Sequence, residues 1–311
     1  MKKILFILSL LLSSFLAVNA HEEGNFVASD FLAGMKPGDK AALLMVHFGT
    51  SYEDTRTLTI DAINAKAKEA FPQLEVREAY TSRIIVRKLN RQGIGKKTPL
   101  EALFGLRAEG YTHVIVQSTN IIDGVEMESL RRDVESMLPF FKEIRVGTPL
   151  LYSVEDAEKV VEILATRHAP VSAKKGKTSK EHIVLVGHGT YTPSTATYSQ
   201  IDYMLKAAGH TNFHIGTIEG YPTFDTMLAQ LKAAKAKSVK LVPFMFVAGD
   251  HANNDIAGDW KEALEKEGLT VDACMEGLGQ VPEIQDIFIE HIRFLLTHRM
   301  VGIMEKKALI N

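Results

Sequence analysis

Three side chains able to ligate a divalent metal follow three successive apolar runs in the second half of the chain. His188 follows HIVLVG at 182–187, Glu219 follows FHIGTI at 213–218, and His251 closes VKLVPFMFVAGDH at 239–251. Neighbouring parallel strands lie about 5 Å apart, so if these runs are adjacent strands, two imidazoles and one carboxylate converge at their ends. Each residue also has a plainer use, His188 or His251 as a hydrogen-bonding cap and Glu219 as a complement to a helix dipole. The coincidence of one ligand type at each of three strand ends favours the metal site. A second group, Arg83, Arg87 and Lys88 in TSRIIVRKL at 81–89, suits one helix face. Arginine grips carboxylates by paired hydrogen bonds, so these cations form a candidate clamp for an acidic substrate, with a solvated helix face as the alternative.

Positioning such residues requires a particular framework. Short Val/Ile/Leu-rich runs alternate with longer amphipathic stretches, the pattern of βαβ units and covered parallel sheets. Strands are expected near 41–48, 75–80, 113–118 and 143–147, and again near 182–187, 213–218, 239–247 and 270–274. The predicted fold class is α/β, with two similar lobes, each a mainly parallel four-stranded sheet flanked by helices. The polar, basic segment 171–181 reads as a linker between a lobe at 41–170 and one at 182–311, preceded by an N-terminal segment at 21–40. AALLMVHFGTSY at 41–52 parallels HIVLVGHGTYT at 182–192, and VIVQSTNIIDGVE at 114–126 parallels 239–251, setting Glu126 opposite His251. Such pairings suggest duplication. Two facing α/β lobes leave a cleft between the C-terminal ends of their strands, where open sheets place ligands.

Several functions are disfavoured. Lys2 and Lys3 precede an apolar run from Ile4 to Val18 and a Val18-Asn19-Ala20 pattern, so residues 1–20 read as a signal peptide. The run is shorter than the roughly twenty residues a membrane span needs. An exported, periplasmic protein with no stable span after cleavage is expected. Removing that segment moves the formal charge from −2 to −4, against nucleic acid as a partner. Cys274 is the single cysteine, which excludes an intrachain disulfide. Gly187-His188-Gly189 lacks the third glycine of a dinucleotide fingerprint, and GIGKKT at 93–98 fails as a phosphate loop because Lys97 stands at the Ser/Thr position. No nucleotide is expected.

Five ordered blocks carry a family resemblance: Phe48-Gly49-Thr50-Ser51, Thr81-Ser82-Arg83-Ile84-Ile85, Gly187-His188-Gly189-Thr190, Ile218-Glu219-Gly220 and Gly249-Asp250-His251-Ala252-Asn253-Asn254. Over about residues 41–300 the chain resembles the anaerobic cobalt chelatases of cobalamin biosynthesis, the CbiK-type sirohydrochlorin cobaltochelatases, in an exported form. The resemblance implies a class II chelatase fold with a tetrapyrrole in its cleft. It implies that His188 and His251 contact the metal, that Glu219 is the third ligand, and that Glu126 faces the pocket. His47 departs from the pattern, since Phe48 aligns with His188, and is kept as a supporting candidate.

The implied activity is ATP-independent insertion of Co²⁺, or Fe²⁺, into sirohydrochlorin, the ion being a substrate. His188 would accept a pyrrole proton, because imidazole titrates near working pH, with Glu126 as the second base. Arg83, Arg87 and Lys88 would anchor the eight carboxylates of the macrocycle. A homo-oligomer is expected, and haem binding is left open. The alternatives are a periplasmic metal or haem carrier without turnover and, more weakly, a metal-dependent hydrolase.

Overall fold

The computed structural model describes residues 24–169, 181–250 and 252–310. The expected signal peptide at 1–20 lies outside these residues, as does the linker at 171–181 apart from Glu181. All eight expected strands form: β2 (Ala41–His47), β3 (Glu75–Tyr80), β4 (His113–Ser118), β5 (Glu143–Val146), β6 (Glu181–Gly189), β7 (Phe213–Glu219), β8 (Ser238–Pro243) and β9 (Thr270–Ala273). They make two parallel four-stranded sheets, ordered β3-β2-β4-β5 and β7-β6-β8-β9. Strand β6 runs past the expected 187 because Gly189 still pairs with Glu219. The β6–β8 ladder stops at Val186↔Pro243, short of the expected 247, since proline has no N–H to continue it.

Alternation along the central strands feeds two cores at once. Leu43 and Met45 of β2 join Ile183 and Leu185 of β6 in one core shared by both lobes. Their neighbours Ala42, Leu44 and Val46 pack into an outer layer of the first lobe, and Val184 and Val186 into that of the second. Each large side chain so buried contributes about 1.5–3 kcal/mol, which accounts for stability without disulfides.

Helices cover these faces, and their starts are written in the sequence. Glu53–Arg56 passes through a π turn at Thr57–Asp61 into α1 (Ala62–Ala70). Ser82 caps α2 (Arg83–Arg91) by accepting the Ile85 N–H, and Thr98 with Glu101 forms a reciprocal capping box on α3 (Pro99–Ala108). Helix α4 (Val125–Met137) follows Gly124, and Ser153 with Asp156 caps α5 (Val154–Arg167). The second half supplies α6 (Ala196–Ala207), α7 (Phe224–Ala233), α8 (Lys261–Lys266) and α9 (Pro282–Thr297).

Helix α9 does not stay with the second sheet. Its buried face, Ile284, Phe288, Ile292 and Leu295, enters the shared core. Its polar edge pairs with the first lobe: Lys66–Asp286 at 2.6 Å, Lys159–Glu290 at 2.9 Å and His291–Asp156 at 3.2 Å. Beyond it, β10 (His298–Met300) pairs antiparallel with β1 (Phe26–Ala28). Buried Arg145 of β5 ties these ends together, donating to the carbonyls of Ser29 at 2.7 Å, Leu295 at 2.6 Å and His298 at 3.0 Å.

Candidate functional site at the strand ends

In both sheets the crossovers from the first strand leave in opposite directions, which creates a switch point at the C-terminal ends of β2 with β4 and of β6 with β8. Such points are where open α/β sheets hold ligands. His188 stands at the end of β6, one residue from its tip. The backbone there is built around glycines. A Cβ on Gly187 would lie 2.3 Å from the Tyr198 ring, and one on Gly220, at φ +106°, would lie 2.6 Å from the Thr190 carbonyl oxygen. Close backbone crossing of this kind admits only glycine. The Thr195 hydroxyl then donates to the Tyr221 carbonyl and accepts the Tyr221 N–H, both at 3.0 Å, locking the 190–195 and 219–221 loops together.

His188 is half-buried, with Nδ1 3.3 Å from the Gly189 carbonyl oxygen. A carbonyl only accepts, so with this bond made Nδ1 carries the hydrogen and Nε2 the lone pair that can ligate a metal or take a proton. Glu219 is exposed at the end of β7 and makes no ion pair with the described residues. Strand alternation groups Glu219 with Ile215 on the interlobe side, and His188 with Val184 and Val186 on the outer side. The two side chains can therefore meet only beyond the strand ends. His251, the remaining expected ligand, lies outside the described residues. Among the described residues, no three His, Cys, Asp or Glu side chains stand close enough to hold a metal ion.

The first lobe brings Glu126 to this edge. It is half-buried in the first turn of α4, whose preceding Gly124 would place a Cβ 3.7 Å from Cβ of Thr190. The start of α4 thus abuts the loop that follows His188. On another side of the cleft, the Tyr52 hydroxyl donates to Asp250 Oδ1 at 2.9 Å and the Thr55 hydroxyl to the Ala248 carbonyl at 3.4 Å. The loop leading to position 251 is stitched to the first lobe.

Arg83 and Arg87 lie one turn apart on α2 and line a cavity of about 710 Å³ between α2, α3 and α4. Lys88 is exposed outside that lining, because one further residue turns the helix by about 100°. Of the expected clamp, two members share a surface and the third does not.

His47 does not reach the cleft surface. It is 1% exposed, with Nε2 donating to Asn64 Oδ1 at 3.1 Å and Nδ1 accepting from the Thr119 hydroxyl at 3.0 Å. Burial pushes its pKa down to about 4, so it is a neutral core residue with both nitrogens engaged. Its neighbour Phe48, the counterpart of His188 in the repeat, is 40% exposed at the tip of β2. Tyr191 and Tyr221 are exposed on the two locked loops. Sequence reasoning passed over these aromatics; the repeat pointed to Phe48, whereas nothing local distinguishes the two tyrosines.

Comparison with known proteins gives this arrangement a family. The profile of the cobalt chelatase (CbiK) family matches residues 41–296. The chain is 37% identical over 263 residues to the sirohydrochlorin cobaltochelatase of Salmonella typhimurium, spanning 83% of this chain and 97% of that protein. It is 33% identical over 262 residues to the sirohydrochlorin cobaltochelatase CbiKC of Nitratidesulfovibrio vulgaris, spanning 82% and 90%. Among solved structures, the sirohydrochlorin chelatase SirB of Bacillus subtilis subspecies spizizenii in complex with cobalt aligns with a TM-score of 0.57 at 15% identity, over 82% of this chain and 94% of that one. At that identity the likeness concerns the fold, which is the two-lobed α/β architecture of class II chelatases. With a family match across both sheets and two relatives above 30% identity, the chain belongs to the CbiK family of cobalt chelatases.

Proposed function

We propose that this protein inserts Co²⁺ into sirohydrochlorin without ATP. One structural observation carries the reading: His188 stands at the switch point with Nδ1 bonded to the Gly189 carbonyl, which puts the ligating lone pair on Nε2. The 37% identity to a sirohydrochlorin cobaltochelatase, over nearly all of that relative, supports the same reaction here. Fe²⁺ is the alternative ion, because N/O donors discriminate poorly among first-row divalent metals.

Insertion exchanges two pyrrolic protons for one divalent ion, so two bases are needed. His188 Nε2 takes one proton and the Glu126 carboxylate the other. Nε2 cannot hold the ion and accept a proton together, so His188 ligates first and acts as base once the ion has moved to the ring. His188, His251 and Glu219 form the metal-receiving set, without thiolates whose grip would oppose release. Arg83 and Arg87 bind peripheral carboxylates, and Lys88 adds positive charge nearby. The Lys2-Lys3 start and apolar run before Ala20 support an exported, periplasmic protein; the first residue of the mature protein, read by mass spectrometry, tests that.

Mixing apo-protein with Co²⁺ and sirohydrochlorin and following the absorption spectrum tests the function. A chelatase accelerates formation of the cobalt product above the protein-free rate. A spectrum that shifts on binding, with no acceleration, would establish the carrier reading instead.

A further inference from the structure

Arg83, Arg87 and Asp133 face one cavity, yet none of their side chains forms a hydrogen bond or ion pair with the described residues. Arg83 and Arg87 are exposed, so a ligand in the cavity can reach both guanidinium groups. Asp133 is half-buried on α4; burial pushes its carboxyl up and the Arg83 charge partly offsets this. The fourth charged group of the lining, Glu101, stays an anion but is held in place, its carboxylate accepting the Thr98 N–H at 2.8 Å and the Thr98 hydroxyl at 2.9 Å. Of the two carboxylates in the lining, Asp133 is therefore the one with no hydrogen bond to hold it away from a ligand on the arginines.

The cavity adjoins the cleft. Thr81 lines it with a buried hydroxyl that has no partner among the described residues, while the Thr81 N–H donates to the His47 carbonyl at 2.8 Å, at the end of β2. Along α4, Glu126 and Asp133 are seven residues apart and share a helix face, so Asp133 lies two turns down from the proposed base. Phe104 adds an exposed apolar wall.

We propose that this cavity receives carboxylate arms of the tetrapyrrole and that Asp133 is its specificity-determining residue. As an anion set against Arg83, Asp133 repels a ligand that reaches a single arginine. A ligand whose arms engage Arg83 and Arg87 together overcomes that repulsion. Selectivity for a densely carboxylated macrocycle then comes from a repulsive element as much as from attraction. This inference rests on the chelatase reading.

The test is titration of metal-free protein with sirohydrochlorin and with a dicarboxylate porphyrin, followed by absorbance, for wild type, R83A, R87A, D133N, D133A and, as a control outside the cavity, R91A. R83A and R87A are expected to weaken sirohydrochlorin binding about tenfold each, the size of a lost charge-assisted hydrogen bond. D133N and D133A should tighten both ligands several-fold and shrink the preference for sirohydrochlorin, with R91A unchanged. Measuring both Asp133 variants guards against a folding defect in one. Unchanged or weaker binding in D133N and D133A, or unchanged binding in R83A and R87A, overturns the inference while leaving the chelatase reading intact. Wild-type protein that binds no sirohydrochlorin overturns the chelatase reading itself.

Discussion

Gly189 of β6 and Glu219 of β7 are register partners, and a Cβ on Gly189 would fall 1.3 Å from the Glu219 carbonyl oxygen. The metal-candidate ends of two strands are thus fused through a position where no side chain fits. Gly189 also holds φ at +86°, the left-handed region that L-residues avoid. G189A should destabilise the protein by at least about 2 kcal/mol and lower cobalt affinity. A urea midpoint equal to wild type would show that the two loops can separate at no cost.

H188A should reduce cobalt insertion by at least about a hundredfold, the range of a lost general base. Its fold should persist, because His188 lies half-buried at the strand end and its bond to the Gly189 carbonyl is long at 3.3 Å. Turnover within a few-fold of wild type, in protein with an unaltered unfolding midpoint, would remove His188 from the mechanism.

Acid should destabilise the fold well before carboxylates titrate. Burial lowers His47, His168 and His214 from an ordinary 6.5 to about 4 each. The unfolded chain then binds more protons than the folded one between those values, so their stabilisation is complete above pH 6.5 and is lost as pH falls toward 4. The combined loss is on the order of several kcal/mol. Urea midpoints measured from pH 7.5 to 4.5 should fall steadily; a flat profile would contradict it.

Arg145, 4% exposed, ties the end of the returning C-terminal helix, through the Leu295 and His298 carbonyls, to the Ser29 carbonyl of the N-terminal segment. R145A leaves those acceptors unmatched and should cost about 3 kcal/mol or more. Limited proteolysis should then cut near residues 296–302 ahead of global unfolding. Wild-type resistance in the variant would mean that the apolar face of α9 suffices.

The exposed Tyr52–Asp250 bond at 2.9 Å joins the lobes across the cleft. A double-mutant cycle of Y52F and D250A should give a coupling of about 0.5–1 kcal/mol in unfolding free energy. Additive effects would mean that the bond does not hold the lobes together in solution.

The α/β class, all eight sheet strands and the pairing of the two halves could be read from residues 41–52 and 182–192 and their like, because strand runs, glycine turns and helix caps are set by neighbours in sequence. The same local logic put His188 and Glu219 at strand ends. Local patterns say nothing of what a pleat faces or where a helix returns. His47 and Phe48 are adjacent, yet packing buried the first between Asn64 and Thr119 and left the second at the cleft. Only the tertiary structure sent α9 back to the first sheet, paired β1 with β10, and set Asp133 beside Arg83 across fifty residues of chain. Those contacts depend on which apolar faces bury each other, and that is decided when the whole core assembles.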